Sequence, residues 1–176
     1  KTDYRKSYAE AWKNEFSRPR DWNHLHGEQN VFRYLPLKGG MALRLFKPDT
    51  DEQALMVALA AQICGTPLTV SCDPSDERKD LAGKLAALGA KVKEETLQHF
   101  VESIPDYERI RTCSANIPVE MYRRAADTNK FIATDAPVKN GRIELIHYLK
   151  EQSIAFEYHR YGSGQDQEPN IDEEYK

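Results

Sequence analysis

The sequence predicts an α/β fold of three layers, in which a mainly parallel sheet is covered by helices on both faces. From about Pro36 to Asp135, short apolar runs alternate with runs of helical periodicity, and this alternation is typical of parallel sheets. Gly65 and Gly89 stand directly after two of the helical runs, where a left-handed residue would end a helix. The chain over 37–152 is therefore predicted to be a Rossmann-like domain.

The N-terminal region over 1–36 is predicted to be a helix followed by a connector. Its apolar residues recur every three or four positions, as on one face of a helix; they are Tyr4, Tyr8, Ala11, Trp12 and Phe16. Thr2 or Asp3 can cap this helix, and a short strand is predicted over 31–34. The aromatic stripe has two interpretations: it packs on the core of its own domain, or it is a docking helix for a partner.

The elements of the domain follow in order. Strands are predicted over 41–46, 67–72, 91–93, 109–114 and 130–134, and helices over 49–64, 75–88, 96–103 and 118–126. A further helix is predicted over 141–152, because Ile143, Ile146 and Leu149 have helical spacing. The region over 153–176 is predicted to be an extended motif and then, from residue 163, a mobile tail, because the tail is too polar to fold.

Composition restricts the class of protein. The chain has 176 residues, 25 of them basic and 28 acidic, with a formal charge of −3 and 40% apolar residues, which suits one domain with appendages. No free-standing basic cluster indicates a nucleic-acid partner. The apolar stretch over 54–64 is shorter than the roughly 20 residues of a transmembrane helix, and the segment over 1–19 is no secretory signal.

These features lead to an expected setting for the chain. We expect no transmembrane segment and a cytoplasmic location, with Cys64, Cys72 and Cys113 as small buried side chains. Because the chain begins at Lys1 rather than at a Met, we also expect it to be a piece of a longer protein.

Motifs for catalysis and ligand binding are missing from the sequence. His24 and His26 do not have the spacing of a metal site, and there is no G-x-S-x-G turn around a nucleophile. The turn over 46–51, between the first strand and the first helix of the domain, has no glycine and presents Asp49 and Asp51 where a phosphate would bind. We therefore expect no catalytic residue, no metal and no cofactor in this chain, and interpret Asp51 and Glu52 as helix caps and partners of the helix dipole.

Both ends of the chain resemble one known family. The segments 141–154 and 158–162 (the latter Tyr-His-Arg-Tyr-Gly) look like the C-terminal signature of bacterial proline utilization A, a fused proline dehydrogenase and pyrroline-5-carboxylate dehydrogenase. The segments 7–19 and 27–34 look like the stretch of chain that leads out of the aldehyde dehydrogenase module in that family. The middle is more distantly similar to the coenzyme domain of aldehyde dehydrogenases, through Lys47-Pro48 and a helix that stops at Gly65-Thr66-Pro67.

The resemblance implies a degenerate copy of a dehydrogenase coenzyme domain. Lys47 matches a lysine that contacts the coenzyme ribose in that family, so it is a vestigial candidate for coenzyme binding. In the turn that faces the pyrophosphate in that family, however, Cys113 replaces the glycine. The catalytic cysteine loop and the glutamate motif of the family are absent. NAD and FAD are implied only for the parent enzyme, proline dehydrogenase / NAD-dependent pyrroline-5-carboxylate dehydrogenase.

The implied role is structural. The domain would cover the aldehyde dehydrogenase module of the same polypeptide or subunit, with a possible homo-oligomer contact, and its last motif would close the cavity through which the intermediate passes. The residues of that motif are Tyr158, His159, Arg160, Tyr161 and Gly162. Two alternatives stay open: a stand-alone NAD-binding domain of an aldehyde-dehydrogenase-type oxidoreductase, and a protein-interaction module. The aromatic residues over 153–162 would be buried either in this domain or against a catalytic module.

Overall fold

The computed structural model describes residues 3–76, 78 and 80–157. Its helices are α1 Tyr4–Ala11, α2 Asp51–Cys64, α3 Leu81–Ala87, α4 Leu97–Ser103, α5 Val119–Asp127 and α6 Gly141–Glu144. A π-helical turn over Trp12–Phe16 extends α1, and 3₁₀ turns over Ile104–Asp106 and Leu145–Tyr148 extend α4 and α6. The strands are β1 Arg20–Asp21, β2 Glu28–Pro36, β3 Met41–Arg44, β4 Leu68–Cys72, β5 Lys91–Glu94, β6 Arg109–Arg111, β7 Phe131–Ala133 and β8 Leu149–Glu157.

The central sheet has five strands in the order β5-β4-β3-β6-β7, and every neighbouring pair is parallel. Alternate residues of β3 belong to two separate hydrophobic clusters: Met41 and Leu43 lie in the cluster that includes α2 and α3, and Ala42 lies in the cluster that includes α4 and α5. Because successive strand residues point to opposite faces, the sheet is covered on both faces. The predicted α/β fold with a mainly parallel sheet is confirmed.

Helix α2 follows the sequence pattern closely. Thr50 is its N-cap and forms a capping box with Gln53, while Gly65 ends it with φ 70°. Asp51 and Glu52 are not the caps, because Thr50 is, but they lie in the first turn as the predicted partners of the helix dipole, where carboxylates interact favourably with its positive end.

Helix α3 is shorter than predicted, because it begins at Leu81 rather than at Ser75. Ahead of it, Asp73 accepts hydrogen bonds from the backbone N–H and the hydroxyl of Ser75. Such local bonds from side chain to backbone compete with helix formation. Arg78 also reaches away from this segment to the turn before α2.

The predicted helix over 141–152 is wrong beyond its first turns. The chain is α-helical to Glu144 and 3₁₀-helical to Tyr148, and β8 begins at Leu149. All nine residues of β8 pair antiparallel with β2, from Pro36 opposite Leu149 to Glu28 opposite Glu157. This long ladder fixes the segment as a strand, and the domain boundary predicted after residue 152 lies inside it.

Strands β1, β2 and β8 form a second, antiparallel sheet in that order. Strand β2 extends well beyond the predicted 31–34, because its pairing with β8 supplies backbone partners along its whole length. The extended C-terminal segment predicted from residue 153 thus belongs to β8 as far as Glu157, and the predicted tail over 163–176 lies outside the described residues.

The N-terminal helix packs on the domain itself. Asp3 caps α1, and Tyr8 and Phe16 are buried in the main core, with Tyr4 and Trp12 partly buried beside them. The hydroxyl of Tyr8 donates to the carbonyl of Val138 at 2.7 Å, and the hydroxyl of Ser7 accepts from the N–H of Gly141 at 2.9 Å. These contacts fasten α1 to α6.

Candidate functional site

A cleft of about 340 Å³ opens at the carboxyl ends of β3 and β4. Its lining includes Arg44, Phe46, Lys47, Asp73, Leu97 and Pro118, and we call it the Arg44 cleft. β4 and β6 flank β3 on either side. Along the chain, the sheet therefore grows first on one side of β3, with β4 and β5, and then on the other side, with β6 and β7. In open α/β sheets, ligands bind outside the carboxyl ends of the strands near such a reversal. The cleft therefore lies in the region where this type of fold binds ligands.

The turn over 46–51 is the element that would hold a phosphate in a glycine-rich Rossmann domain, and several N–H groups in and beside it have side-chain acceptors. The carboxylate of Asp49 accepts from the N–H of Phe46 at 2.8 Å. The side-chain oxygen of Gln53 accepts from the N–H of Thr50 at 2.8 Å, and the hydroxyl of Thr50 accepts from the N–H of Gln53 at 3.2 Å. Three donors that could otherwise face an anion are thus used within the turn.

Arg78 closes the same turn from the outside. Its guanidinium donates to the carbonyl oxygens of Phe46 and Asp49, both at 2.8 Å, and forms ion pairs with Asp76 at 2.9 Å and Asp51 at 3.2 Å. Only 10% of the Arg78 side chain is exposed. Desolvation raises the pKa of Asp49, although Arg78 lies close to it. The turn is therefore a closed unit of side chains and carbonyl groups.

Nicotinamide dinucleotides are the coenzymes that the sequence resemblance implies for the parent enzyme, and the turn over 46–51 does not fit a pyrophosphate. It has no glycine to let the backbone approach a phosphate, the N–H groups of Phe46 and Thr50 already have side-chain acceptors, and the turn carries the carboxylates of Asp49 and Asp51. Lys47 is exposed and lines the Arg44 cleft. Cys113, after β6, is buried, and its burial raises the pKa of the thiol to about 12, so it is not a reactive thiolate.

Arg44 is a charged residue inside the apolar β3 strand, with 2% of its surface exposed. Its Nη1 donates to the hydroxyl of Ser71 at 2.8 Å and to the carbonyl of Glu95 at 2.9 Å. Its Nη2 lies 3.8 Å from the carboxylate of Asp73, and its Nε has no hydrogen-bond partner among the described residues. The Nε–Nη2 edge, which matches a carboxylate or phosphate, is thus the unbonded edge.

A second buried polar cluster lies away from the cleft. Arg111 and Glu144 are both fully buried and form an ion pair at 2.9 Å. Glu144 also accepts from the hydroxyl of Tyr148 at 2.7 Å and from the N–H of Val138 at 2.9 Å, while Arg111 donates to the carbonyl of Asp135 at 2.6 Å. Burial raises the pKa of Tyr148. These groups bind one another, so the cluster serves the fold.

The remaining predicted site residues lie apart. The docking-helix residues Tyr4, Tyr8, Trp12 and Phe16 line the contact of the N-terminal helix with the core. Tyr158, His159, Arg160, Tyr161 and Gly162 lie outside the described residues. His24 and His26 are exposed, and no cluster of metal-binding side chains occurs within the described residues. No helix of the described part is long and apolar enough to cross a membrane.

Arg44 and Arg78 are the residues that sequence reasoning missed. Arg44 carried a signal, because it lies within the apolar run over 41–46. Both faces of a parallel sheet are covered, so a charged residue in such a strand is expected to be buried. Arg78 carried none, because its partners are backbone carbonyls more than 25 positions earlier in the chain.

Comparison with known proteins agrees with this fold. No model of a protein family matches the chain, and no curated protein does. Among solved structures, proline utilization A from Corynebacterium freiburgense is similar with 28% identity and a TM-score of 0.58, over 89% of this chain and 13% of that protein.

Two further structures share the fold. Histidinol dehydrogenase from Elizabethkingia anophelis matches with 10% identity and a TM-score of 0.60, over 76% of this chain and 34% of that one. Succinate-semialdehyde dehydrogenase from Burkholderia pseudomallei matches with 16% identity and a TM-score of 0.58, over 77% and 30%. The chain thus spans a minor part of each of these proteins. The resemblance described from the sequence is confirmed: the chain is similar to a segment of proline utilization A and shares the fold of a succinate-semialdehyde dehydrogenase.

Proposed function

We propose that the chain is a noncatalytic C-terminal domain of a bifunctional enzyme that converts proline to glutamate through pyrroline-5-carboxylate. The observation that carries the proposal is the likeness to proline utilization A over 89% of this chain. That likeness reaches 28% identity, whereas the other dehydrogenases reported above share only the fold. The whole enzyme, with its NAD and FAD, belongs to the proposal and not to this chain.

The noncatalytic part of the proposal is supported by the closed turn before α2. Asp49 and the capping box bind the N–H groups of Phe46, Thr50 and Gln53, and Arg78 binds the carbonyl oxygens of the same turn. Cys64 and Cys113 are buried as predicted, whereas Cys72, also predicted to be buried, is only partly buried because it lies at the end of β4. Burial raises the pKa of all three thiols. A domain of this kind stabilises or covers another module.

The partner we propose is the aldehyde dehydrogenase module of the same polypeptide or subunit. β8 is the last strand of its sheet, with β2 on one side and, within the described residues, no strand on the other. An unpaired strand edge can accept a further strand from a neighbour, with backbone hydrogen bonds providing affinity. The motif over 158–162 follows β8 directly in the sequence, and in this proposal it closes the cavity of the intermediate.

The test is a deletion of Tyr158–Gly162 in the full-length enzyme. The structure restricts the deletion to these residues, because removal of residues 153–157 would also break the ladder with β2. We expect the coupled conversion of proline to glutamate to slow far more than the oxidation of proline alone. The matched control deletes residues 163–167, also C-terminal to β8, and should leave both rates unchanged.

Two results would contradict the proposed role. Equal loss of both activities would show that the motif only supports folding, and no loss of either would show that it has no part in channelling. Reading the coding sequence upstream of Lys1 provides an independent check, because an upstream region without dehydrogenase modules would favour an interaction module.

A further inference from the structure

The Arg44 cleft contains charges of both signs within a small volume. Arg44 and Lys47 line it together with Asp73 and Asp76. Both cations lie close enough to Asp73 to lower the pKa of its carboxyl, after the larger effect of the hydrogen bonds from Ser75. Asp76 is bound by Arg78 at 2.9 Å, which leaves Asp73 as the acid of the cleft without a close ion pair.

Arg44 is less satisfied than its burial requires. A buried guanidinium is costly unless its donors are bonded, yet its Nε is buried with no acceptor among the described residues, and its Nη2 has only Asp73 at 3.8 Å. The rings of Phe46 and Phe100 lie 6.0 and 5.6 Å from its charged carbon. These contacts hold the guanidinium in place, and Nη2, whose contact with Asp73 is long at 3.8 Å, keeps the capacity to bind an anion by a charge-assisted hydrogen bond.

The walls of the cleft are apolar. Leu45, Phe46, Leu97 and Pro118 line it. Small-molecule sites typically combine such walls with a few convergent polar groups. In this cleft, Arg44 and Lys47 would bind an anionic group, and Asp73 would bind a cationic group of the same ligand.

We propose that the Arg44 cleft binds a small zwitterion of the α-amino acid class, with its carboxylate on Arg44 and Lys47, its ammonium on Asp73 and its side chain against Phe46 and Leu97. A dinucleotide bound as in a glycine-rich Rossmann domain is a different ligand, because its pyrophosphate would need the turn over 46–51, whose carbonyl oxygens bind Arg78. The proposal does not rest on the proposed function, and either can fail alone.

The test is the thermal melting of the 176-residue chain with three related probes: L-leucine, L-leucinamide and 4-methylpentanoate. The second probe keeps the amine without the carboxylate, and the third keeps the carboxylate without the amine. We expect a saturable rise in melting temperature with L-leucine and no comparable rise with the other two. No rise with L-leucine, or the same rise with all three, would overturn the proposal.

Variants then assign the site. Lys47→Ala and Asp73→Asn alter exposed or half-exposed groups, so both should fold, and each should weaken the apparent affinity for L-leucine by about tenfold, as expected for loss of a charged hydrogen bond. Arg44→Lys keeps the positive charge but removes the planar guanidinium, and it should weaken the apparent affinity for L-leucine at least as much. Lys84→Ala, an exposed lysine on α3 outside the cleft, is the matched control and should change nothing. Unchanged affinity in both the Lys47 and Asp73 variants would exclude this cleft.

Discussion

Arg111 shows how a single buried residue fixes the C-terminal part of the chain. From β6 it reaches Glu144 at the end of α6 and the carbonyl of Asp135, and Glu144 in turn binds the N–H of Val138 and the hydroxyl of Tyr148. A buried ion pair is weak evidence for net stability, because desolvation offsets the attraction. Here the extra hydrogen bonds define one arrangement of the segment that leads into β8.

The first prediction removes one charge of this pair. Glu144→Gln keeps the size of the side chain but leaves the Arg111 charge buried without a counter-charge, so we expect a loss of about 3–5 kcal/mol in the free energy of unfolding. Urea denaturation measures it. The matched control is Glu52→Gln, which breaks the exposed Lys139–Glu52 pair and should cost less than about 1 kcal/mol. Similar losses in both variants would show that burial of the pair is irrelevant.

At the scale of elements, local signals were sufficient for some parts of the fold and insufficient for others. α2 could be predicted because its cap, its composition and Gly65 are all local. β8 could not, because its first residues continue a helical spacing of apolar side chains and only the nine-residue ladder with β2, more than 110 positions away in sequence, makes them a strand. Tertiary pairing overrides local periodicity in such cases.

The second prediction concerns the contact between α1 and α6. A Cβ atom on Gly141 would lie 2.5 Å from the carbonyl oxygen of Ser7 and 2.8 Å from the Cβ of Ala11. Gly141→Ala should therefore push the two helices apart and lower the free energy of unfolding by about 1–3 kcal/mol, the usual cost of overpacking. Chemical denaturation of the purified chain measures this change.

The control for this contact is another glycine in a helix. Gly83 lies inside α3, and a Cβ atom there would meet nothing within 4 Å. Gly83→Ala should stabilise the chain by about 0.5–1 kcal/mol through helix propensity. If both variants shifted stability in the same direction, the close approach of α1 and α6 would not be what requires glycine at position 141.

At the scale of the whole molecule, a parallel α/β sheet carries a turn over 46–51 that is closed by its own side chains and by Arg78. The missing glycines and the two carboxylates of this turn are visible in the sequence, and they are the basis of the expectation that no coenzyme phosphate binds there, which stays a prediction. The sequence was insufficient to predict the Arg44 cleft and the closure by Arg78, because both depend on residues from separate loops that meet only in the folded chain. Fold and coenzyme binding are separable properties in general, and an NAD titration measures whether they are separate in this chain.

The last prediction tests that separation. A ligand at 100 times its dissociation constant adds ~2.7 kcal/mol to the stability of the protein that binds it, which is roughly 5–11 °C in melting temperature for a chain of this size. NAD should produce no such shift in this chain, because the turn over 46–51 has no glycine, the N–H groups of Phe46 and Thr50 bind side chains of the turn, and Arg78 binds its carbonyl groups. Lys47→Ala should leave the NAD titration unchanged, and an aldehyde dehydrogenase that binds NAD provides the positive control. A saturable rise with NAD that Lys47→Ala abolishes would instead identify a stand-alone NAD-binding domain and would show that the closed turn opens for the coenzyme.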